Sequence, residues 1–293
     1  MTPHLAFLLL PYTRSEFPGW ARLIRLVGYG AVLGGAAQMR PEWSDMPKVI
    51  VTGKLHGFKM KLDRSDWAQC STYFLGRYYE LGVQRTLDKL LRKGDTFVDV
   101  GANIGMIALH ARALVGEAGK VICFEPNPDC ADAVAEHMTM NDIENVIVRR
   151  CALAEISGTL TLSLTSTHSG TATLAYASNA VRTMQVAVRV GDEELADVIP
   201  RLIKIDVEGF EMQALKGLKK TLVRHKPLLI TELIDQHLSK AGTSVAEVSA
   251  FLTELGYRPY GIATARSPIR HDLVLHPLNT LASKYSDWLW VPT

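Results

Sequence analysis

The chain has 293 residues, 47% of them hydrophobic and 21% charged, which is enough apolar side chain to bury a sizeable core and too much for a disordered protein. Its formal net charge is only +2 and no long basic stripe runs through it, which argues against a nucleic-acid binder. Four cysteines, Cys70, Cys123, Cys130 and Cys151, show neither a CxxC pair nor a Cys/His metal spacing, and no cleavable leader is evident, so a reducing, cytoplasmic setting is expected.

The charge is uneven. Residues 1–95 hold 14 Lys+Arg against 8 Asp+Glu, net +6, leaving 18 against 22, net −4, for the rest. Two apolar runs lie in the basic part, "LAFLLLP" from Leu5 and "LVGYGAVLGGAA" from Leu26, each far short of the roughly 20 residues a spanning helix needs. Trp20, Arg22 and Arg25 flank the second run, so residues 20–37 read either as a packed N-terminal helix or as a helix lying in a membrane interface. Peripheral membrane contact is the corresponding partner expectation. The segment "CSTYFLGRYYELG", Cys70 to Gly82, is rich in Tyr and Phe, which stack well on flat ligand faces, and is a candidate lid.

From Thr96 the pattern becomes βαβ. Short apolar strands are expected at 96–100, 120–125, 146–151, 201–206 and 227–233, alternating with helical periodicity in "NIGMIALHARALV", "PDCADAVAEHMTM" and "FEMQALKGLKKTL". Asn127-Pro128 starts the second helix with a good cap and a good first-turn residue. Residues 157–200 interrupt the rhythm with a Ser/Thr-rich, β-prone insertion. The division expected is an N-terminal extension over 1–75 and an α/β domain over 76–293.

Within that domain "FVDVGANIG", Phe97 to Gly105, places Gly101 and Gly105 around a strand-to-helix turn, where backbone N–H groups could approach a ligand closely. It is neither the dinucleotide G-x-G-x-x-G nor a P-loop. Glu125 ends the next strand, in "VICFEPNP", 24 residues after Gly101, where a carboxylate can accept both hydroxyls of a ribose. A nucleoside ligand without a required pyrophosphate is the reading that fits. Further on, "LIKIDVEGFEMQALKG" ends a strand expected beside the first, at the point where the sheet's connections reverse. There Lys204 and Asp206 share a face and Glu208 enters the loop, with Glu232 of "LLITELI" on a neighbouring strand. A buried Lys204–Glu232 ion pair is expected from the cost of an unpaired buried charge.

These three blocks, with "LLITELI" after them, resemble the S-adenosylmethionine-dependent methyltransferases of the FkbM family over roughly residues 75–235. The resemblance implies a Rossmann-like class I fold, a mostly parallel seven-stranded sheet with helices on both faces, and the methyl donor S-adenosyl-L-methionine across Asp99, Gly101, Asn103 and Gly105. It implies further that the ribose rests on Glu125 and the adenine near Asn127, Cys151 and Ala152. Glu80 matches the family's upstream pattern, with a salt bridge to Arg77 as the plainer reading.

The implied reaction is O-methylation of a small-molecule or glycan acceptor: a sugar, glycolipid, polysaccharide or polyketide-type product. Asp206 and Glu208 are the candidate bases, with His168 of the insertion as a third. Carboxylates at Asp206, Glu208 and Glu232 could instead hold Mg2+, but the helical Asp-Asp arrangement of some O-methyltransferases is missing, so no metal site is assigned. A nucleic-acid methyltransferase would share the fold, yet no "DPPY"-type motif for base amines occurs. The glycines, Glu125 and Asp206 argue against a non-catalytic binding module.

Overall fold

The computed structural model describes residues 8, 10–16, 47–164, 172–174, 180–266, 271–278 and 285–293. Residues 20–37 and His168 lie outside these, and so do the expectations attached to them.

In chain order the elements begin with a short helix α1 (Leu10–Ser15), the hairpin β1 (Val49–Thr52) and β2 (Lys59–Leu62), and helices α2 (Trp67–Leu75) and α3 (Leu81–Leu90). The repeating unit follows: β3 (Thr96–Val100), α4 (Met106–Val115), β4 (Lys120–Phe124), α5 (Pro128–Met140) and β5 (Val146–Arg149). β6 (Ala152–Ala154) precedes the insertion, which supplies β7 (Gly158–Leu164), β8 (Ala172–Thr173), β9 (Arg182–Val190) and the short α6 (Gly191–Glu194). Next come β10 (Leu202–Ile205), α7 (Glu211–Gly217), α8 (Lys219–His225), β11 (Leu228–Glu232), α9 (Asp235–Leu238) and α10 (Val245–Glu254). Three strands close the chain: β12 (Tyr257–Arg266), β13 (His271–Pro277) and β14 (Asp287–Pro292).

The main sheet has the order β13-β12-β14-β11-β10-β3-β4-β5. Five strands, β11-β10-β3-β4-β5, run parallel, and β14, β12 and β13 join antiparallel. The sheet therefore has eight strands where seven were expected. The extra one is β13, which pairs along the outer half of the ten-residue β12. Connections run outward from β3 to β4 and β5 on one side and return to β10 and β11 on the other, so the sheet reverses between β3 and β10. The insertion strands join β6 in a separate four-stranded sheet, β6-β9-β7-β8.

Two cores cover the faces of the main sheet, as a parallel sheet requires. One packs Phe97, Val121, Ile230 and Leu289 against α4, α5 and the hairpin residues Met60 and Leu62, together with Phe74 of α2. Met60, Leu62, Cys70, Tyr73 and Phe74 thus belong to the core of the α/β unit. The other core packs Val98, Ile203, Trp288 and Trp290 against α7, α8 and α10. Asn127 caps α5 by accepting the Asp129 N–H at 3.1 Å, and Pro128 occupies its first turn, as the sequence suggested.

Candidate active site

Strand alternation and register set a row of acids along the carboxyl edge of the sheet. Lys204 is registered with Asp99 on one side and Ile230 on the other, and Cys123 with Asp99. Two residues further along each strand, on the same face, stand Asp206, Glu232 and Glu125. Glu232 is in turn opposite Asp287 of β14. Side chains that are far apart in sequence therefore meet in one cleft, lined also by Tyr78, Tyr79 and Glu80 from the α2–α3 connection and by Leu162, Ala172 and Leu174 of the insertion.

At one end of the cleft Glu125 is 6% exposed and its two carboxylate oxygens accept the N–H groups of Asn103, at 2.7 Å, and Asn127, at 2.9 Å. Burial pushes its pKa up to about 7 against the pull of those two bonds. Each oxygen keeps a lone pair, so the carboxylate is oriented and still able to accept two further hydrogen bonds. Asp99 differs: it is 0% exposed, lines the cleft, and neither oxygen has a hydrogen-bond partner. Burial raises its pKa to about 7, with Lys204 opposing and Asp206 adding to the rise. A buried carboxyl without a partner costs free energy unless something entering the cleft satisfies it.

The glycines serve the turn. Gly101 has φ +86°, and a Cβ on it would collide with the Asp206 carbonyl oxygen, so this position joins the ends of β3 and β10 without room for a side chain. Its N–H and that of Ala102 both donate to the Phe124 carbonyl, at 2.9 and 3.2 Å, and the Gly105 N–H donates to Ala102 at 2.9 Å. Those N–H groups, expected to approach a ligand, thus donate instead to the end of β4 and within the turn. Gly101, Ala102 and Asn103 still line the cleft, whereas Gly105 is the N-terminal cap of α4. Ala152 and Leu153 also line it. Cys151 is buried in the second core, and the Asn127 side chain is engaged in its cap.

At the other end Lys204 donates to Asp206 at 2.7 Å, in place of the expected pair with Glu232. The period of two explains it: Asp206 is the next residue on the same face of the same strand, while Glu232 lies one strand over and two residues beyond the register partner of Lys204. Burial works against the Lys204 charge, and Asp206, Asp99 and Glu80 more than offset it, so its pKa rises. Glu232 is pushed up to about 10 by burial and by Asp206, Glu208, Asp287 and Glu80. Glu80 is pushed to about 8, chiefly by burial, and its Oε2 is buried without a partner. Arg77 does not reach Glu80 but pairs with Glu16 at 2.6 Å.

Glu208 has φ +53°, lines the cleft, and accepts from His237 Nδ1 at 2.9 Å. Its loop is pinned on three sides: Thr173 Oγ1 donates to the Glu208 carbonyl at 2.7 Å, and Glu211 Oε1 accepts the N–H groups of Val207 and Gly209 at 3.1 and 3.2 Å. At Gly209, φ +104°, a Cβ would strike the His237 backbone. Asp206 and Glu208 are therefore brought together as expected. His237 and Asp287 were not foreseen. A lone histidine in "DQHL" carries no local signal, and Asp287 acquires neighbours only through the placement of β14.

A parallel sheet with its cleft at the reversal point, a buried carboxylate after the second of its strands and antiparallel closing strands define the Rossmann-like class I methyltransferase fold. The family described as Methyltransferase FkbM domain matches residues 99–259, more than half of the sequence, and the chain belongs to it. Methyltransferase sdnD of Sordaria araneosa is 31% identical over 153 residues, 41% of this chain and 59% of that protein. Hexuronic acid methyltransferase AglP of Haloferax volcanii is 30% identical over 183 residues, 60% of this chain and 68% of that protein. Methyltransferase 1 of Beauveria bassiana is 26% identical over 47% of this chain and 65% of its own length. The matched part of the chain thus spans 59% and 65% of the two fungal relatives. Among solved structures, a methyltransferase FkbM from Methylobacillus flagellatus KT aligns with 92% of this chain and 60% of its own, at 15% identity and a TM-score of 0.44.

Proposed function

We propose that the protein transfers a methyl group from S-adenosyl-L-methionine to a hydroxyl of a sugar, glycolipid, polysaccharide or polyketide-type acceptor. The observation that carries this is the pair of carboxyls at the cofactor end: Glu125, oriented by two backbone N–H groups with lone pairs to spare, and Asp99, wholly buried without a partner in the same cleft. A nucleoside bearing positive charge fits both, since ribose hydroxyls donate to Glu125 and a cation compensates Asp99. When bound, the donor supplies an electrophilic methyl on a sulfonium. Asn103 and Ala152 line the same end.

At the opposite end Asp206 receives the acceptor's hydroxyl proton, and Lys204 holds its carboxylate in place at 2.7 Å. Tyr78 and Tyr79, with ring centroids 4.6 Å apart, offer faces on which a sugar-like acceptor stacks. Glu80, Glu208, Glu232 and Asp287 surround that end with acids, which disfavours an acceptor carboxylate or phosphate close to the reacting hydroxyl. The name of AglP, a hexuronic acid methyltransferase, supports the sugar class, while this charge balance favours a sugar without its acid group at that point.

The test is incubation of the full chain with the methyl donor and a panel of glycans and hydroxylated lipids, followed by mass spectrometry. One acceptor should gain one methyl group. Failure of S-adenosylhomocysteine to bind in calorimetry would overturn the cofactor assignment and the function with it.

A further inference from the structure

The rim of the acceptor end holds a second arrangement with its own chemistry. Glu208, Glu232 and His237 each offer one ligand atom, and these three atoms lie within 4.8 Å of one another. They come from three separate places in the fold: a strained loop after β10, the last residue of β11 and the first turn of α9. None is fully buried, so an ion can enter and keep water or substrate ligands. Glu80 approaches the same cluster from the α2–α3 connection, its Oε2 buried and unpartnered, and Asp287 faces Glu232 across the strand pair. The lysine of this region, Lys204, is committed to Asp206. Carboxylates from four elements therefore converge beside the His237 imidazole.

We infer that Glu208, Glu232 and His237 bind one divalent cation of the Mn2+ or Fe2+ type at the acceptor end of the cleft. Two carboxylates and one imidazole form a mixed oxygen and nitrogen set that suits these ions better than Mg2+, which favours oxygen ligands alone. The interlock of Gly209 against the His237 backbone fixes the imidazole beside Glu208 and so pre-forms one edge of the site. An ion there neutralises the acids that would otherwise repel one another and gives an acceptor hydroxyl an electrophilic partner next to Asp206. This function for the ion rests on the methyl-transfer reading; the site itself does not.

The experiment uses the full chain stripped with chelator and then titrated with Mn2+, followed by calorimetry and by the loss of the free Mn2+ electron-spin signal. One Mn2+ per chain is expected, with affinity about tenfold or more weaker in Glu232→Gln and in His237→Asn, the usual scale for disturbing a metal's ligand set. Both variants should keep parent affinity for S-adenosylhomocysteine, which shows that they are folded. Absence of stoichiometric Mn2+ binding to the parent would overturn the site, and so would undiminished binding in both variants. If Mn2+ binds as described but S-adenosylhomocysteine does not, the site stands and the methyl-transfer reading falls.

Discussion

Replacement of Glu125 by alanine tests the cofactor assignment through two separable effects. The side chain accepts two backbone N–H groups at 2.7 and 2.9 Å, and both amides would lose their acceptor. Hydrogen bonds to a charged group contribute about 1.5 to 3 kcal/mol each, but a carboxyl with a pKa of about 7 is only half ionised at neutral pH, so a stability loss of roughly 2 to 4 kcal/mol is expected from urea unfolding. Losing the ribose contacts should separately weaken binding of S-adenosylhomocysteine by about 1.5 to 3 kcal/mol, or roughly 10- to 150-fold, in calorimetry. The ionised form is the better acceptor, while burial favours the protonated one in the empty protein. Binding below pH 7 must therefore release a proton, and Glu125 by itself should lower affinity about tenfold between pH 8 and pH 6. Asp99, raised to a similar pKa, contributes its own share, so the variant should show a smaller pH dependence and not a flat one. A folded variant with parent affinity and parent pH dependence would refute the ribose assignment.

Asp206→Asn keeps the volume and removes the base; turnover should fall by roughly a hundredfold with much less change in donor affinity, and a parallel fall of both would assign Asp206 to the cofactor site. Gly101→Ala combines φ +86° with a collision against the Asp206 carbonyl, so a loss of about 3 kcal/mol or more, or failure to accumulate as soluble protein, is expected; a stable variant would mean that β3 and β10 separate there at little cost. Burial, with His110 and His137 nearby, lowers the His56 pKa from 6.5 to about 4. Its folded pKa lies below its unfolded one, so its contribution is full above pH 6.5 and is lost as the pH falls toward 4, by up to roughly 3 kcal/mol. Urea unfolding at pH 7 and pH 5 should show about 2 kcal/mol of that loss in the parent and less of it in His56→Gln; equal losses would remove His56 as the cause.

The parts of this site that could be read from the sequence are those that local rules govern. "FVDVG" and "VICFE" are each an apolar run ending in one acid, and a strand with both faces covered leaves few other ways to place it. Asn127-Pro128 announces a helix by capping chemistry alone, and the cap forms. The errors arise where neighbours are set by strand order. Charge alone pairs Lys204 with Glu232, yet alternation along one strand puts Asp206 nearer. The eighth strand is not legible in the sequence because a long antiparallel strand such as β12 pairs with different partners over its two halves, which no periodicity records. The same limit hid Asp287, since only the insertion of β14 beside β11 brings "SDWLWV" against "LLITE". Each acid looks ordinary by itself, a polar residue at the end of a strand. What makes the row chemically unusual is that adjacent strands end in acids on one face, so that each raises the cost of ionising the next. An edge so arranged favours cations, and a sulfonium donor at one end with a divalent ion at the other would meet that demand without any change in the fold.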